Sequence, residues 1–125
     1  MSTIAIDLDG TIAEWAEDKS VLGPPASGAK EFLDQLHELG YEIVIHTCRI
    51  NYEGEPEEWI DKISSWLEEN EIPYDRIWTD KGKPIAVAYI DDRGLAMNTD
   101  FISSEMGRAI TLKRIQHLCS SGSNN

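Results

Sequence analysis

The sequence predicts an α/β fold with a mainly parallel sheet. Short β-branched and apolar segments alternate with longer amphipathic segments along the 125 residues. This alternation is typical of strands that are joined by helices in right-handed crossovers. The predicted strands cover residues 3–8, 41–46, a short stretch around 77–78, and 85–90. The predicted helices run over residues 27–39, from 56 to a stop at 70–73, and from 104 to about 118.

The first predicted helix follows an irregular segment, residues 11–25, which closes at Gly23-Pro24-Pro25. Apolar residues recur in this helix at the spacing of one helical face, so one side should pack on the sheet. Gly40 stands where a left-handed residue commonly ends a helix. The apolar face consists of Phe32, Leu33, Leu36 and Leu39.

The second and third predicted helices have similar stripes. Pro56 fits the first turn of the second helix, and the acidic residues that follow it suit the positive end of a helix. The polar stretch 120–125 predicts a disordered tail after a single domain of residues 1–119. The two stripes are Trp59, Ile60, Ile63, Trp66 and Leu67, and then Ala109, Leu112, Ile115 and Cys119.

Composition and charge limit the classes of function. Hydrophobic residues make up 41% of the chain and charged residues 27%, as in soluble globular proteins. A formal charge of −12 argues against binding to long nucleic acids, which needs a basic face. No run approaches the roughly 20 apolar residues of a membrane span, and neither a secretory signal nor a disulfide framework is evident. We therefore expect a cytoplasmic protein that has no membrane partner.

Chemically capable side chains fall at the carboxyl ends of three predicted strands. In parallel α/β sheets, these ends meet at the edge where ligands bind. Asp7 and Asp9 are two residues apart, so both can face one side where the first strand ends. The remaining residues are Thr47 after the second strand, Asp91 and Asp92 after the strand 85–90, and Lys83 just before that strand.

These residues resemble the four motifs of the haloacid dehalogenase (HAD) superfamily of phosphohydrolases. The stretch Asp7-Leu8-Asp9-Gly10-Thr11-Ile12 matches the first motif at every position. Thr47 resembles the second motif, Lys83 before Pro84 the third, and Asp91-Asp92 the fourth, all in the order of the family. The resemblance spans residues 3 to 95 and implies a Rossmann-like, three-layer α/β/α sandwich.

The resemblance also implies the chemistry of the acidic residues. Asp7 would attack phosphorus and form an aspartyl-phosphate, and Asp9 would give a proton to the leaving oxygen and later take one from water. Mg²⁺ would be bound by Asp7, by the backbone carbonyl of Asp9 and by Asp92 at the usual metal position of the family. Asp91 is the other candidate ligand, although it would more readily hold Lys83.

The same resemblance assigns the groups around the phosphate. Thr47 and Lys83 would bind the phosphoryl oxygens, whose charge must be stabilised through the transition state. Gly10 would let the chain turn away, and Thr11 would orient Asp9. Arg49 is either a substrate contact or one partner of a surface ion pair, and Arg93 has the same two interpretations.

The spacing of the motifs leaves no room for a cap domain. Residues 10–46 separate Asp9 from Thr47, and one predicted helix uses much of that length; residues 48–82 likewise contain one helix. The substrate would then be a phosphorylated small molecule or the exposed phosphate end of a larger one. A second copy of the chain in a homo-oligomer, or the segment 11–25 with Trp15, would be the candidates to cover the site, although Trp15 is as readily a packing residue.

Two other functions fit part of the pattern. A phosphoacceptor receiver domain also places acids, a Thr and a Lys-Pro at strand ends, but its Lys-Pro belongs on the last strand, whereas here Asp91-Asp92 follow Lys83. A catalytically inactive module that binds phosphate or metal is the second alternative. The sequence favours a magnesium-dependent phosphomonoesterase without a cap domain over both.

Overall fold

The computed structural model describes residues 2–18, 20–51, 56–79, 84, 86, 88–90 and 102–122. Four strands and three α-helices lie within these ranges, together with a 3₁₀ helix at Cys48–Asn51. The strands are β1 (Thr3–Asp7), β2 (Glu42–His46), β3 (Arg76–Ile77) and β4 (Ala88–Ile90). The helices are α1 (Ala29–Glu38), α2 (Pro56–Glu69) and α3 (Glu105–Gly122).

The strands form one parallel sheet in the order β3-β2-β1-β4. Asp7 at the end of β1 is paired with His46 at the end of β2, and Ile6 is paired with both Ile45 and Ile90. The carboxyl ends of β1, β2 and β4 therefore lie side by side. The predicted α/β, Rossmann-like class is confirmed, and it brings Asp7, the first residue of the first predicted motif, beside the strand end that leads to Thr47.

The two central strands are buried on both faces. Three consecutive residues of β1 and three of β2 are at most 2% exposed, so their alternating side chains are covered above and below the sheet. One face of α1 and one of α2 contribute to the same core, as the stripes predict, except that Leu39, which the sequence places on the α1 face, is 50% exposed and follows the end of the helix. Burial of this kind contributes about 25 cal/mol per Å² of apolar surface removed from water. The six strand residues are Ile4, Ala5, Ile6, Ile43, Val44 and Ile45.

The segment between β1 and α1 is irregular, as predicted, but it is tied to the domain. Ala13 forms an isolated bridge with Pro25, and the Glu14 amide donates to the Pro24 carbonyl at 2.8 Å. The Trp66 indole on α2 donates to the Gly23 carbonyl at 2.9 Å. Among the described residues between Asp9 and Thr47, α1 and β2 are the only helix and strand.

The last helix is longer than the sequence predicts. It continues to Gly122, so residues 120–122 of the predicted disordered tail are helical; residues 123–125 lie outside the described residues. Polar residues such as Ser120 and Ser121 do not by themselves end a helix. Gly122 is the first residue after position 119 that has a low helix propensity. No helix within the described residues is both long and apolar enough to cross a membrane.

Candidate functional site

The first two predicted motifs, which contain Asp7 and Thr47, lie side by side where β1 and β2 end. Asp7 is half-buried and closes β1, and Thr47, which is 5% exposed, follows the β2 residue that pairs with Asp7. One oxygen of Asp7, Oδ1, accepts the Leu8 amide at 2.9 Å, which orients its carboxylate. A carboxylate and a hydroxyl group are therefore placed at adjacent positions on the carboxyl edge of the sheet.

A tight turn after β1 fixes the position of Asp9. The Leu8 carbonyl accepts three amides, from Thr11 at 3.3 Å, Ile12 at 3.1 Å and Ala13 at 2.9 Å, and the Gly10 amide donates to the Ala13 carbonyl at 2.8 Å. Gly10 has φ +78°, a left-handed conformation that suits glycine. Because the turn is closed by these hydrogen bonds, the Asp9 side chain projects from a rigid backbone.

Arg49 holds both carboxylate oxygens of Asp9. Nε donates to Oδ2 at 2.6 Å and Nη2 donates to Oδ1 at 2.8 Å, and the two side chains are only 3% and 6% exposed. This bidentate pairing is among the stronger hydrogen-bonding arrangements that a carboxylate makes. It joins the turn after β1 to the 3₁₀ helix after β2, across 40 residues of sequence.

Further contacts hold the Arg49 guanidinium in place. Nη2 also donates to the Val21 carbonyl at 3.2 Å, and the guanidinium carbon lies 4.8 Å from the centroid of the Trp59 ring. The backbone amide of Arg49 donates to Thr47 Oγ1 at 3.2 Å. Arg49 thus contacts the predicted acid, the predicted phosphate-binding threonine, the irregular segment and α2.

This arrangement corrects two expectations from the sequence. Arg49 does not form a surface ion pair, because its partner is the buried Asp9. Thr11 does not orient Asp9 through a hydrogen bond, since its fully buried hydroxyl has no partner among the described residues; Arg49 takes that role. The sequence does show that Arg49 follows the motif residue Thr47 by two positions. Only the tertiary structure shows that Asp9 is the partner of Arg49.

Trp15 is not a core residue. Its side chain is 69% exposed, yet one edge of the indole lies against Gly10: a methyl group added there would come 2.6 Å from Nε1. Trp15 therefore sits above the turn that carries Asp9, and it packs on that turn instead of in the core. The bridge and hydrogen bonds of residues 13–14 hold the backbone that leads to it.

The contact between Gly10 and Trp15 predicts unequal effects of two glycine substitutions. Gly10→Ala and Gly40→Ala both place a side chain in a left-handed conformation, at a cost of about 1–2 kcal/mol. Open space surrounds Gly40, whereas Gly10→Ala also pushes the indole away, and we expect an additional loss of about 1 kcal/mol. Urea unfolding measures both values, and the additional loss should vanish in a Trp15→Ala background. Equal losses for both substitutions in the parent chain would contradict the contact.

The remaining predicted site residues, Lys83, Asp91, Asp92 and Arg93, lie outside the described residues. Ile90 is paired with Ile6, so β4 ends beside β1, and the sequence then continues into Asp91-Asp92. No group of three or more His, Cys, Asp or Glu side chains within the described residues is arranged to bind a metal. Asp7 and Thr47 offer a carboxylate and a hydroxyl oxygen at this edge, the type of ligand that a hard cation such as Mg²⁺ prefers.

A cavity of about 450 Å³ lies beside this network. It opens between α2 and the end of the irregular segment, and none of the predicted site residues lines it. Val21 and Trp59, which contact Arg49, are part of its wall. Nearby, hydrogen bonds from Ser20 lower the pKa of the exposed Asp18 carboxyl and close a local turn.

Comparisons with known proteins bear on the fold. No protein-family model and no curated protein matches the chain. A crystal structure of a protein from Vibrio cholerae is 28% identical, covers 98% of this chain and 99% of its own, and has a TM-score of 0.56. The structure of a conserved protein from Bacteroides thetaiotaomicron is 25% identical over 82% of this chain and 86% of its own, with a TM-score of 0.59. The α/β fold of this chain is therefore similar to theirs over most of its length.

Proposed function

We propose that the chain is a magnesium-dependent phosphatase of the capless HAD type that hydrolyses a phosphomonoester through an aspartyl-phosphate. The observation that supports this most is the pairing of β1 with β2, which puts Asp7 and Thr47 side by side at the carboxyl edge of the sheet. The first of these residues can attack phosphorus, and the second can bind a phosphoryl oxygen. The family resemblance of the sequence supplies the reaction class.

The proposed reaction has two steps, and described residues can carry out both. An oxygen of Asp7 attacks phosphorus as the bond from phosphorus to the leaving oxygen breaks, and Asp9 donates a proton to that oxygen. Water then attacks the aspartyl-phosphate, Asp9 accepts a proton from it, and phosphate is released. The Thr47 hydroxyl already accepts the Arg49 amide, so its own proton can be donated to a phosphoryl oxygen.

The oxygen donors of the site fit magnesium. Asp7 and the backbone carbonyl of Asp9 would hold the ion, with Asp92 or Asp91 as a further ligand from outside the described residues. When bound, Mg²⁺ offsets the repulsion between the acidic side chains and the phosphate. Such an offset matters in a chain whose formal charge is −12. The predictions of a cytoplasmic setting and of a homo-oligomer rest on the sequence alone.

Trp15 suggests a preference among phosphate esters. Its exposed indole lies over the turn of Asp9, the residue that would face the leaving group. A planar aromatic leaving group could stack on this surface, whereas a short alkyl group could not. Such ring pairs are worth about 0.5–1.5 kcal/mol beyond their area burial.

Trp15→Ala should therefore lower kcat/KM for phenyl phosphate by roughly 2- to 12-fold, mainly through KM. The change in kcat/KM for glycerol 2-phosphate should be smaller than about twofold. Because each ester is compared between the variant and the parent chain, the different reactivities of the two leaving groups cancel. Met106→Ala is the matched control, because Met106 is 73% exposed and lies on α3. Equal losses for both esters would remove the aromatic preference.

The function itself is tested by hydrolysis of a panel of phosphate esters, including an aryl phosphate, with and without Mg²⁺. We expect turnover that requires the ion and releases inorganic phosphate. Absence of magnesium-dependent turnover over the whole panel would contradict the proposal and favour a binding module. Stable phosphorylation by a small phosphodonor, without turnover, would instead favour the receiver-like alternative.

A further inference from the structure

We infer that Arg49 holds Asp9 away from the reaction until a phosphate group replaces the Asp9 carboxylate on the guanidinium. Arg49 would then be a phosphate-binding residue that couples substrate binding to release of the acid/base. This inference rests on the proposed function and concerns how the same site is regulated. Two observations support this coupling between phosphate binding and release of Asp9. The first is the geometry of the Arg49–Asp9 ion pair, and the second is the set of contacts that hold the guanidinium without involving Asp9.

As observed, both oxygens of Asp9 are engaged. They accept hydrogen bonds from Nε and Nη2 of Arg49, at 2.6 and 2.8 Å. A group that transfers a proton must itself come within hydrogen-bond distance of the leaving oxygen. Each oxygen is directed at the guanidinium and the Asp9 side chain is only 6% exposed, so the side chain would have to turn away from Arg49 to bring an oxygen to the leaving group.

A phosphate group is a suitable replacement for the carboxylate. A phosphomonoester dianion carries more charge than a carboxylate and offers three oxygens, two of which match the guanidinium fork. Arg49 is also close to the proposed phosphate position, since its backbone amide binds the hydroxyl of Thr47 at 3.2 Å. A phosphate bound by Thr47 therefore lies beside the backbone of Arg49, and the pairing with Asp9, two residues after Asp7, brings the guanidinium to the same edge of the sheet.

Other contacts can keep the guanidinium in place during this exchange. The Val21 carbonyl accepts Nη2 at 3.2 Å, and the Trp59 ring lies 4.8 Å from the guanidinium carbon. Neither contact depends on Asp9. Arg49 can thus change its anionic partner through side-chain torsions without becoming a buried cation that lacks polar contacts.

The exchange can be observed in the intact parent chain by NMR of the arginine side chain. Inorganic phosphate is added in the presence of Mg²⁺, with sodium chloride of equal ionic strength as the control. We expect the Nε–H resonance of Arg49 to shift saturably with phosphate, and that of Arg76, in an exposed pair with Glu42, to stay in place. A saturable shift of the Thr47 backbone amide with no response of the Arg49 Nε–H would overturn the inference.

Two variants that each remove the buried carboxylate provide a second test through phosphate affinity. If the resting pair limits binding, Asp9→Asn should bind inorganic phosphate about tenfold more tightly than the parent chain, because no carboxylate competes for Arg49. Asp9→Asn/Arg49→Gln should lose most of that affinity, since the arginine would be the phosphate ligand. Equal affinity of the single and double variants would identify the gain as simple relief of charge repulsion and contradict the exchange.

These measurements separate the inference from the proposed function. Magnesium-dependent turnover with an unresponsive Arg49 would overturn the exchange and leave the phosphatase proposal intact. Exchange at Arg49 without turnover on any ester would support the inference as a property of a phosphate-binding site and contradict the proposed catalysis.

Discussion

Asp7→Asn is expected to lower magnesium-dependent hydrolysis of an aryl phosphate by a factor on the order of 10⁴ or more, as removal of a catalytic nucleophile does. The amide has the shape of the carboxylate but cannot form the aspartyl-phosphate. Asn can still accept the Leu8 amide that Asp7 Oδ1 accepts at 2.9 Å, so the fold should be retained. Steady-state kinetics and urea unfolding of the same preparation measure the two effects.

The matched control for this substitution is Asp61→Asn, which removes one negative charge from an exposed position on α2. Its activity should stay within about twofold of the parent chain, because surface substitutions away from special features change little. If Asp7→Asn retains a tenth or more of the parent activity, Asp7 is not the nucleophile and the aspartyl-phosphate route fails. Loss of activity in both variants would point to a general charge effect.

Arg49→Leu is expected to lower the free energy of unfolding by about 3–5 kcal/mol, because it leaves the Asp9 carboxylate buried and unpaired. Asp9 is only 6% exposed and loses both hydrogen bonds from the guanidinium at once. The Trp59 ring and the Val21 carbonyl lose their contacts with Arg49 as well. Urea or thermal unfolding of the variant measures the loss.

Arg76→Leu is the control for that substitution. Arg76 pairs with Glu42 at 3.3 Å, but its side chain is 52% exposed, and exposed pairs contribute about 0–1 kcal/mol. The double variant Arg49→Leu/Asp9→Leu should recover much of the lost stability, because it removes both buried charges. Similar small losses for Arg49→Leu and Arg76→Leu would contradict the buried pair.

The core of the fold could be predicted because hydrophobic periodicity is a local property. Apolar runs such as Ile43-Val44-Ile45 predicted buried strands, and the face containing Phe32 and Leu36 predicted how α1 packs. The end of α3 was predicted too early. A polar sequence such as Ser120-Ser121 favours neither outcome strongly, and hydrogen bonding of the preceding turn continues the helix.

The candidate site was predicted in part. Strand ends at Asp7 and Thr47 could be expected to meet, because parallel strands align their carboxyl ends, and the register of β1 with β2 agrees. The partner of Asp9 could not be predicted, since any of the cations in an acidic chain could have approached it. The exposure of Trp15 also required the path of the irregular segment, which has no periodic pattern to read.

By itself, the sequence determined the α/β class, the positions of the strands and helices, and the residues at the ends of β1 and β2, because these follow from side-chain periodicity and local backbone preferences. Only the tertiary structure decided that Arg49 forms a buried ion pair with Asp9 and that the Trp15 indole lies against Gly10. Both contacts depend on how segments distant in sequence approach each other. A buried bidentate ion pair forms only where burial and hydrogen-bond geometry are satisfied together, and local sequence specifies neither of these conditions.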